Sequence, residues 1–214
     1  MVPFMAFGLF ALVMVTVVGL AIWAGRVQKQ RATANLQKLA TRLGLEFVPA
    51  AGWTGRPSVT GTLREKKANF FSYVTSNGKS STAWAALTIQ VAAAGGLTFS
   101  IEKRGFATKI EKLFGAHEAV VDDAEFAKAW FVQSNQPDFM SAALIPELRA
   151  KLMAARQAGA YGNFGLKGGE VKYAEVGGFA NAKLCERFTT LADVMCDLAD
   201  IAEVAAEQKG NAEN

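Results

Sequence analysis

Residues 69–92 read NFFSYVTSNGKSSTAWAALTIQVA, and their alternation decides the fold. Apolar and polar positions exchange with a period of two on either side of Ser76-Asn77-Gly78-Lys79. Asn-Gly is the dipeptide that most readily adopts the left-handed conformations of a tight hairpin turn. Asn69–Thr75 and Thr82–Ala92 therefore read as paired antiparallel strands. In the second, Ala83, Ala85, Leu87, Ile89 and Val91 make one face apolar, which predicts a central strand laid on the core. Upstream, Val59, Gly61 and Leu63 alternate with Thr60, Thr62 and Arg64, and Leu45–Pro49 is a further short strand. Downstream, Leu97, Phe99 and Ile101 resume the period after Gly95-Gly96, and Phe106, Ile110, Leu113 and Phe114 mark a short helix closed by Gly115.

The distal half changes character. Asp122-x-x-Glu125 predicts a capped helix start through Phe126, followed by a strand over Ala129–Ser134. Pro137 and Pro146 each open a helix in the first-turn position that proline tolerates. Tyr161–Leu166 and Glu170–Val176 form a second hairpin around Lys167-Gly168-Gly169. A long helix over Ala182–Glu207 carries Leu184, Phe188, Leu191, Met195, Leu198 and Ala202 at spacings of four and three, the stripe of a core-facing helix. The order is α+β rather than regular βαβ alternation.

Glu125-Phe126-Ala127-Lys128-Ala129-Trp130-Phe131-Val132-Gln133-Ser134, followed by Ala142-Ala143-Leu144-Ile145-Pro146, Leu152 and a hairpin ending near Tyr173–Phe179, resembles a pattern in a bacterial family of membrane-anchored proteins to which no function is assigned. The resemblance spans about residues 122–179 and is built from packing residues. In it, Trp130-Phe131 stands at the aromatic strand position and Ile145 replaces a leucine. It implies a bacterial membrane protein with a cytoplasmic α+β domain, and it carries over no catalytic or ligand residue.

At the other end, Val2–Gly25 is an uncharged apolar run, longer than the about 20 residues that cross a bilayer core of about 30 Å as a helix. No Lys or Arg precedes it and Ile22-Trp23-Ala24 is a poor cleavage site, so an anchor fits better than a cleaved signal peptide. Trp23, Arg26, Lys29, Arg31, Lys38 and Arg42 follow as an interfacial aromatic and a run of cations without an acid. The positive-inside rule then places the N-terminus outside and the domain in the cytoplasm, as a single-pass protein. Residues 26–44 read as a basic juxtamembrane amphipathic helix, with Leu36, Leu39, Ala40 and Leu43 on one face and Gly44 as its cap. Two readings stand for it: a cationic stripe that binds acidic lipid, or a connector whose leucines pack on the domain. Residues 45–207 form one α+β domain, and 208–214 a flexible tail. The net charge of +4 is unevenly placed, with 14 Lys and Arg against 4 Asp and Glu in residues 1–112 and 9 against 15 in residues 113–214.

Chemistry is sparse. His117 is the one histidine, and neither a nucleophile motif nor a metal-ligand spacing surrounds it. Cys185 and Cys196 lie roughly 16 Å apart along one helix at about 1.5 Å per residue, too far to bridge, and read as small buried hydrophobes. No glycine-rich stretch has a phosphate-loop or dinucleotide spacing. Arg64, Lys66, Lys67, Lys103 and Arg104 sit near aromatics at strand ends, where a basic rim explains them better than nucleic acid does. Asp193, Asp197 and Asp200 form an acidic row on the last helix. It is a solvated face or a docking site for a basic partner.

These readings converge on a non-catalytic interaction or scaffold module held at the inner membrane, with lipid and one protein as partners and no cofactor. The alternatives are an accessory subunit of a membrane complex, or a membrane-associated hydrolase or lipid-modifying enzyme that uses His117, Asp122 and Asp123.

Overall fold

The computed structural model describes residues 2–52, 55–104 and 116–212, with side chains from residue 14 to residue 211 within those ranges. The helix expected over Phe106–Phe114 lies outside the described residues. Among the described residues, nine strands form one antiparallel sheet: β1 (Glu46–Val48), β2 (Ser58–Leu63), β3 (Lys66–Ser76), β4 (Ser81–Gln90), β5 (Phe99–Lys103), β6 (His117–Glu118), β7 (Trp130–Ser134), β8 (Asn163–Lys167) and β9 (Glu170–Val176). Their order is β1-β2-β3-β4-β9-β8-β5-β7-β6, so the apolar β4 is central, as its alternation predicted.

Register aligns one row of core side chains across eight strands: Phe47, Val59, Phe70, Leu87, Tyr173, Phe164, Ile101 and Val132. On this face lies α5 (Ala182–Ala212), which inserts Phe188 among the rings of Tyr173 (5.4 Å between centroids), Phe179 (5.0 Å) and Phe70 (6.5 Å). Each such fully buried side chain contributes about 1.5–3 kcal/mol relative to exposure. The neighbouring positions, which point to the opposite face, place Asn69, Thr88, Lys172, Gly165, Ser100 and Gln133 in a row that is polar or small. The difference between the two rows explains why the helices gather on one side.

Helix α1 (Val2–Leu43) is continuous, so the expected span and the expected juxtamembrane helix are a single element. Nothing in the sequence between Gly25 and Gln28 interrupts it. It ends where Gly44 takes φ 66° and the Leu45 N–H donates to Ala40 O at 2.9 Å, the terminal bond of a Schellman cap. Leu36, Leu39 and Ala40 are 1%, 2% and 4% exposed, so the leucine face does pack on the domain. Met14, Val15, Val17, Val18, Leu20, Ile22 and Trp23 are exposed on the same helix. Among the described residues no helix is long and apolar enough to cross a membrane, and the first thirteen residues lie outside the described side chains.

Three smaller elements are α2 (Ala124–Ala129), α3 (Pro137–Ala143) and α4 (Pro146–Gln157). The α2 cap is Asp123 rather than Asp122, because only Asp123 stands three residues before the Phe126 N–H that its carboxylate accepts at 3.0 Å. The last helix continues to Ala212, beyond the expected end at Glu207, because no residue from Gln208 to Asn211 is a strong enough breaker; Gly210 sits in its final turn.

Candidate functional site

The acidic row on α5 is matched by cations of the same chain, while Asp193 and Asp200 stay half exposed. The two-residue turn Arg64-Glu65 joins β2 to β3, and Arg64 reaches Asp197 at 2.6 Å and also pairs with Asp193. Lys151 on α4 meets Asp193 and Asp197 at 2.6 Å each, and Lys66 meets Asp200 at 2.8 Å and Glu203 at 2.7 Å. Asp193, Asp197 and Asp200 thus fasten α5 to the sheet and to α4. The bond from Lys151 first, and then the Arg64 charge, hold the Asp193 carboxyl below the usual range against burial, which raises it. The bond to Asp197 raises the Arg64 guanidinium and the bond to Asp193 raises the Lys151 amine. Burial works against the Lys66 ammonium, but bonds to Asp200 and Glu203 outweigh it and raise its pKa.

A second network is deeper. Glu175 on β9 is 5% exposed, accepts from the Tyr173 hydroxyl at 2.5 Å and is paired with Arg187 of α5. Burial, followed by the Glu175 charge, pushes the Tyr173 hydroxyl far up, so it stays protonated as a donor.

The residues considered for catalysis sit at exposed or half-buried positions. His117 is exposed on β6 opposite Ser134, while Asp123 caps α2 and pairs with Arg149 at 3.6 Å. Cys185 and Cys196 are buried, with Cys185 raised to about 11 and Cys196 raised in the same direction, both by burial first. Neither thiol is poised as a nucleophile. Among the described residues no three His, Cys, Asp or Glu side chains gather as a metal site.

The continuity of α1 divides the proposed interface residues. At about 1.5 Å per residue, Lys38 and Arg42 lie about 18 and 24 Å along the helix from Arg26. Both line a groove against α5, and Arg42 approaches Glu186 at 3.6 Å. Trp23 is 65% exposed, and Arg26, Lys29 and Arg31 follow within about 12 Å of it.

At that level a cleft of about 700 Å³ opens between α1, the 55–57 segment and the 177–181 turn. Gly25, Lys29 and Arg31 line it from α1 and Arg56 from the opposite wall. Its walls are tied together, since the Asn35 side-chain amide donates to Phe179 O at 2.8 Å and Lys29 Nζ donates to Gly52 O at 3.3 Å. No carboxylate lines it among the described residues. Arg56 was not singled out from the sequence, because it is solitary there; only the fold brings it opposite Lys29.

An apolar groove of about 550 Å³ runs between α3, α4 and the end of α5, with Ile145 and Val204 exposed at its rim.

No family model and no curated protein matches the sequence. The fold is similar to that of a solved structure, the crystal structure of the mycobacterial trehalose monomycolate transport factor A, TtfA. The TM-score is 0.54 at 10% sequence identity, over 79% of this chain and 93% of that one.

Proposed function

We propose that this protein is a membrane-anchored, non-catalytic accessory module, in which α1 crosses the bilayer once with its N-terminus outside and the α+β domain works as a scaffold at the inner face. One observation carries the reading. Within a single rigid helix, apolar side chains pass from exposed (Val15 72%, Leu20 59%, Trp23 65%) to buried (Leu36 1%, Leu39 2%), and the cations begin at the changeover. An exposed apolar helical surface calls for lipid or another protein to cover it. The aromatic-then-basic order at Trp23-Ala24-Gly25-Arg26 matches a helix leaving a bilayer toward the cytoplasm. The shared fold with a transport factor supports an accessory role, and the use of Asp123 as the α2 cap and the partner of Arg149 supports one without catalysis.

Two measurements test this. The full-length protein is expected to stay in the membrane pellet after alkaline carbonate washing, and Leu20→Lys with Ile22→Lys is expected to release it; release of the wild type overturns the anchor. A cysteine introduced as Lys79→Cys in the exposed β3–β4 turn reports orientation, because the two native thiols are buried. A membrane-impermeant maleimide is expected to label it only in opened cells, and labelling in intact cells reverses the topology. Crosslinking in cells followed by mass spectrometry is expected to recover one membrane protein reproducibly, and recovery of lipid alone removes the scaffold role.

A further inference from the structure

We infer that the cleft at the base of α1 binds the phosphate of an anionic lipid headgroup, an inference that rests on the anchoring reading above. Its place is the first argument. Gly25, the last residue of the apolar run, is also a wall of the cleft, so the cleft begins where the hydrocarbon-compatible surface stops. That is the depth of the headgroup layer for a helix leaving a bilayer.

Its chemistry is the second argument. Lys29, Arg31 and Arg56 converge on it from two separate segments, and no carboxylate lines it among the described residues. The contrast with the rest of the molecule matters, because Arg64, Lys66 and Lys151 are each matched by carboxylates of α5. Lys29 Nζ donates to the Gly52 carbonyl at 3.3 Å, which positions the ammonium on the cleft wall. Guanidinium groups present parallel N–H donors that fit two phosphate oxygens at once, and an ammonium supplies a further point charge.

The third argument is shape. The walls include Gly177 and Gly178, Ser72 of β3 and Ala83 of β4, so small residues leave room for a headgroup beside the helix. Gly177 holds φ 134°, a conformation that residues with a side chain rarely adopt, and a Cβ there would come within 2.8 Å of Leu184 Cδ1, so a larger residue would strain the turn. The turn is anchored on both sides, by Asn35 to Phe179 O and by the Gly177 N–H to Ala83 O at 2.9 Å. The cleft is therefore built into the fold.

The test separates a built cleft from a general basic surface. Full-length protein in detergent is titrated with phosphatidylglycerol or phosphatidylcholine and read by native mass spectrometry. One retained phosphatidylglycerol is expected, with phosphatidylcholine bound at least tenfold more weakly. Arg31→Ala and Arg56→Ala are each expected to weaken phosphatidylglycerol by about five-fold. Lys183→Ala removes the same charge from an exposed position that does not line the cleft and is expected to change binding less than two-fold. Equal losses for Lys183→Ala and Arg56→Ala overturn the inference. Free glycerol phosphate binding as tightly as the lipid also overturns it, since the ligand would then be a soluble phosphate. Unchanged melting temperatures confirm that the exposed substitutions leave the fold intact. Carbonate washing of the same variants is read separately: release of the wild type defeats the anchor, whereas retained variants with unaltered lipid binding defeat the cleft alone.

Discussion

Strand β2 starts beside the cleft at α1 and ends, about 20 Å on, at the Arg64 turn. At the Arg64 end, cations and carboxylates are matched: Arg64 to Asp197 at 2.6 Å, Lys66 to Glu203 at 2.7 Å, Lys151 to Asp193 at 2.6 Å. At the other end, Arg31 and Arg56 line a space that no carboxylate among the described residues lines. Charge matched within the chain contributes to stability in proportion to its burial. Charge left facing solvent contributes little to folding and is available to a ligand. Substitutions that remove one charge should therefore grade in effect from the buried network to the open cleft.

The largest effect is expected at Glu175. Glu175→Ala would leave Arg187, whose side chain is 21% exposed, and the buried Tyr173 hydroxyl without their shared acceptor. Removing one partner of a buried ion pair costs about 3–5 kcal/mol. Urea unfolding of the variant should show a loss of that size; a loss below about 1 kcal/mol would mean that the pair is hydrated.

The Arg64 end is more open, and the costs should fall accordingly. Lys66 is its most buried cation at 12% side-chain exposure, but Asp200 and Glu203 can rehydrate when it is removed. Lys66→Ala should therefore cost about 1 kcal/mol. Arg56→Ala should stay within about 0.5 kcal/mol, as exposed substitutions away from such contacts do. Equal unfolding midpoints for the two variants would erase the contrast between the ends.

The amino-acid pattern made much of this architecture readable. Period-two alternation identified β2, β3, β4 and β5, the two prolines identified α3 and α4, and the stripe from Leu184 to Ala202 identified α5. These signals are local, because each records which face of one element meets the core. Strand order is not local: β9 enters beside β4 after about eighty intervening residues, and neither sequence announces the other. Two-residue β6 is too short to show a period. The charge networks were hidden for the same reason. Arg64 and Lys66 read as a basic rim and Asp193, Asp197 and Asp200 as an outward acidic face, yet they are each other's partners across more than 120 residues. A row of like charges on a helix looks solvated until the opposite charge arrives from a distant turn. Arg56 was overlooked for the converse reason, since one cation in a loop has no pattern.

The Arg64 turn carries a smaller, opposite effect. Arg64 and Glu65 hold φ 45° and 69°, positions that glycine or asparagine takes at little cost in two-residue hairpins. Arg64 is kept there by its pairs with α5, but Glu65 is exposed and makes no ion pair among the described residues. Glu65→Gly should stabilise the domain by about 0.5–1 kcal/mol, while Arg64→Gly should lose more through the ion pairs than the turn regains. A destabilised Glu65→Gly protein would show that the turn is not strained.

The finest discrimination comes from acid. The folded-state pKa of Asp193 is lowered, first by its bond to Lys151 and then by Arg64, so its contribution is present above the unfolded value of about 3.9 and is lost as pH falls through the lower folded one. Arg64 and Lys151 are raised, so their contributions are complete throughout the acid range and vanish only in strong alkali. Below about pH 4 the Arg64 end should therefore lose stability through the carboxylate alone. Asp193→Asn should flatten that limb of a plot of unfolding free energy against pH, by a fraction of a kcal/mol because the side chain is half exposed. Arg31→Ala and Arg56→Ala should leave the limb unchanged, since no carboxylate among the described residues lines the cleft to have its pKa lowered by them. A shallower acid limb in Arg56→Ala would place a carboxylate against that guanidinium and end the distinction between the two ends of the strand.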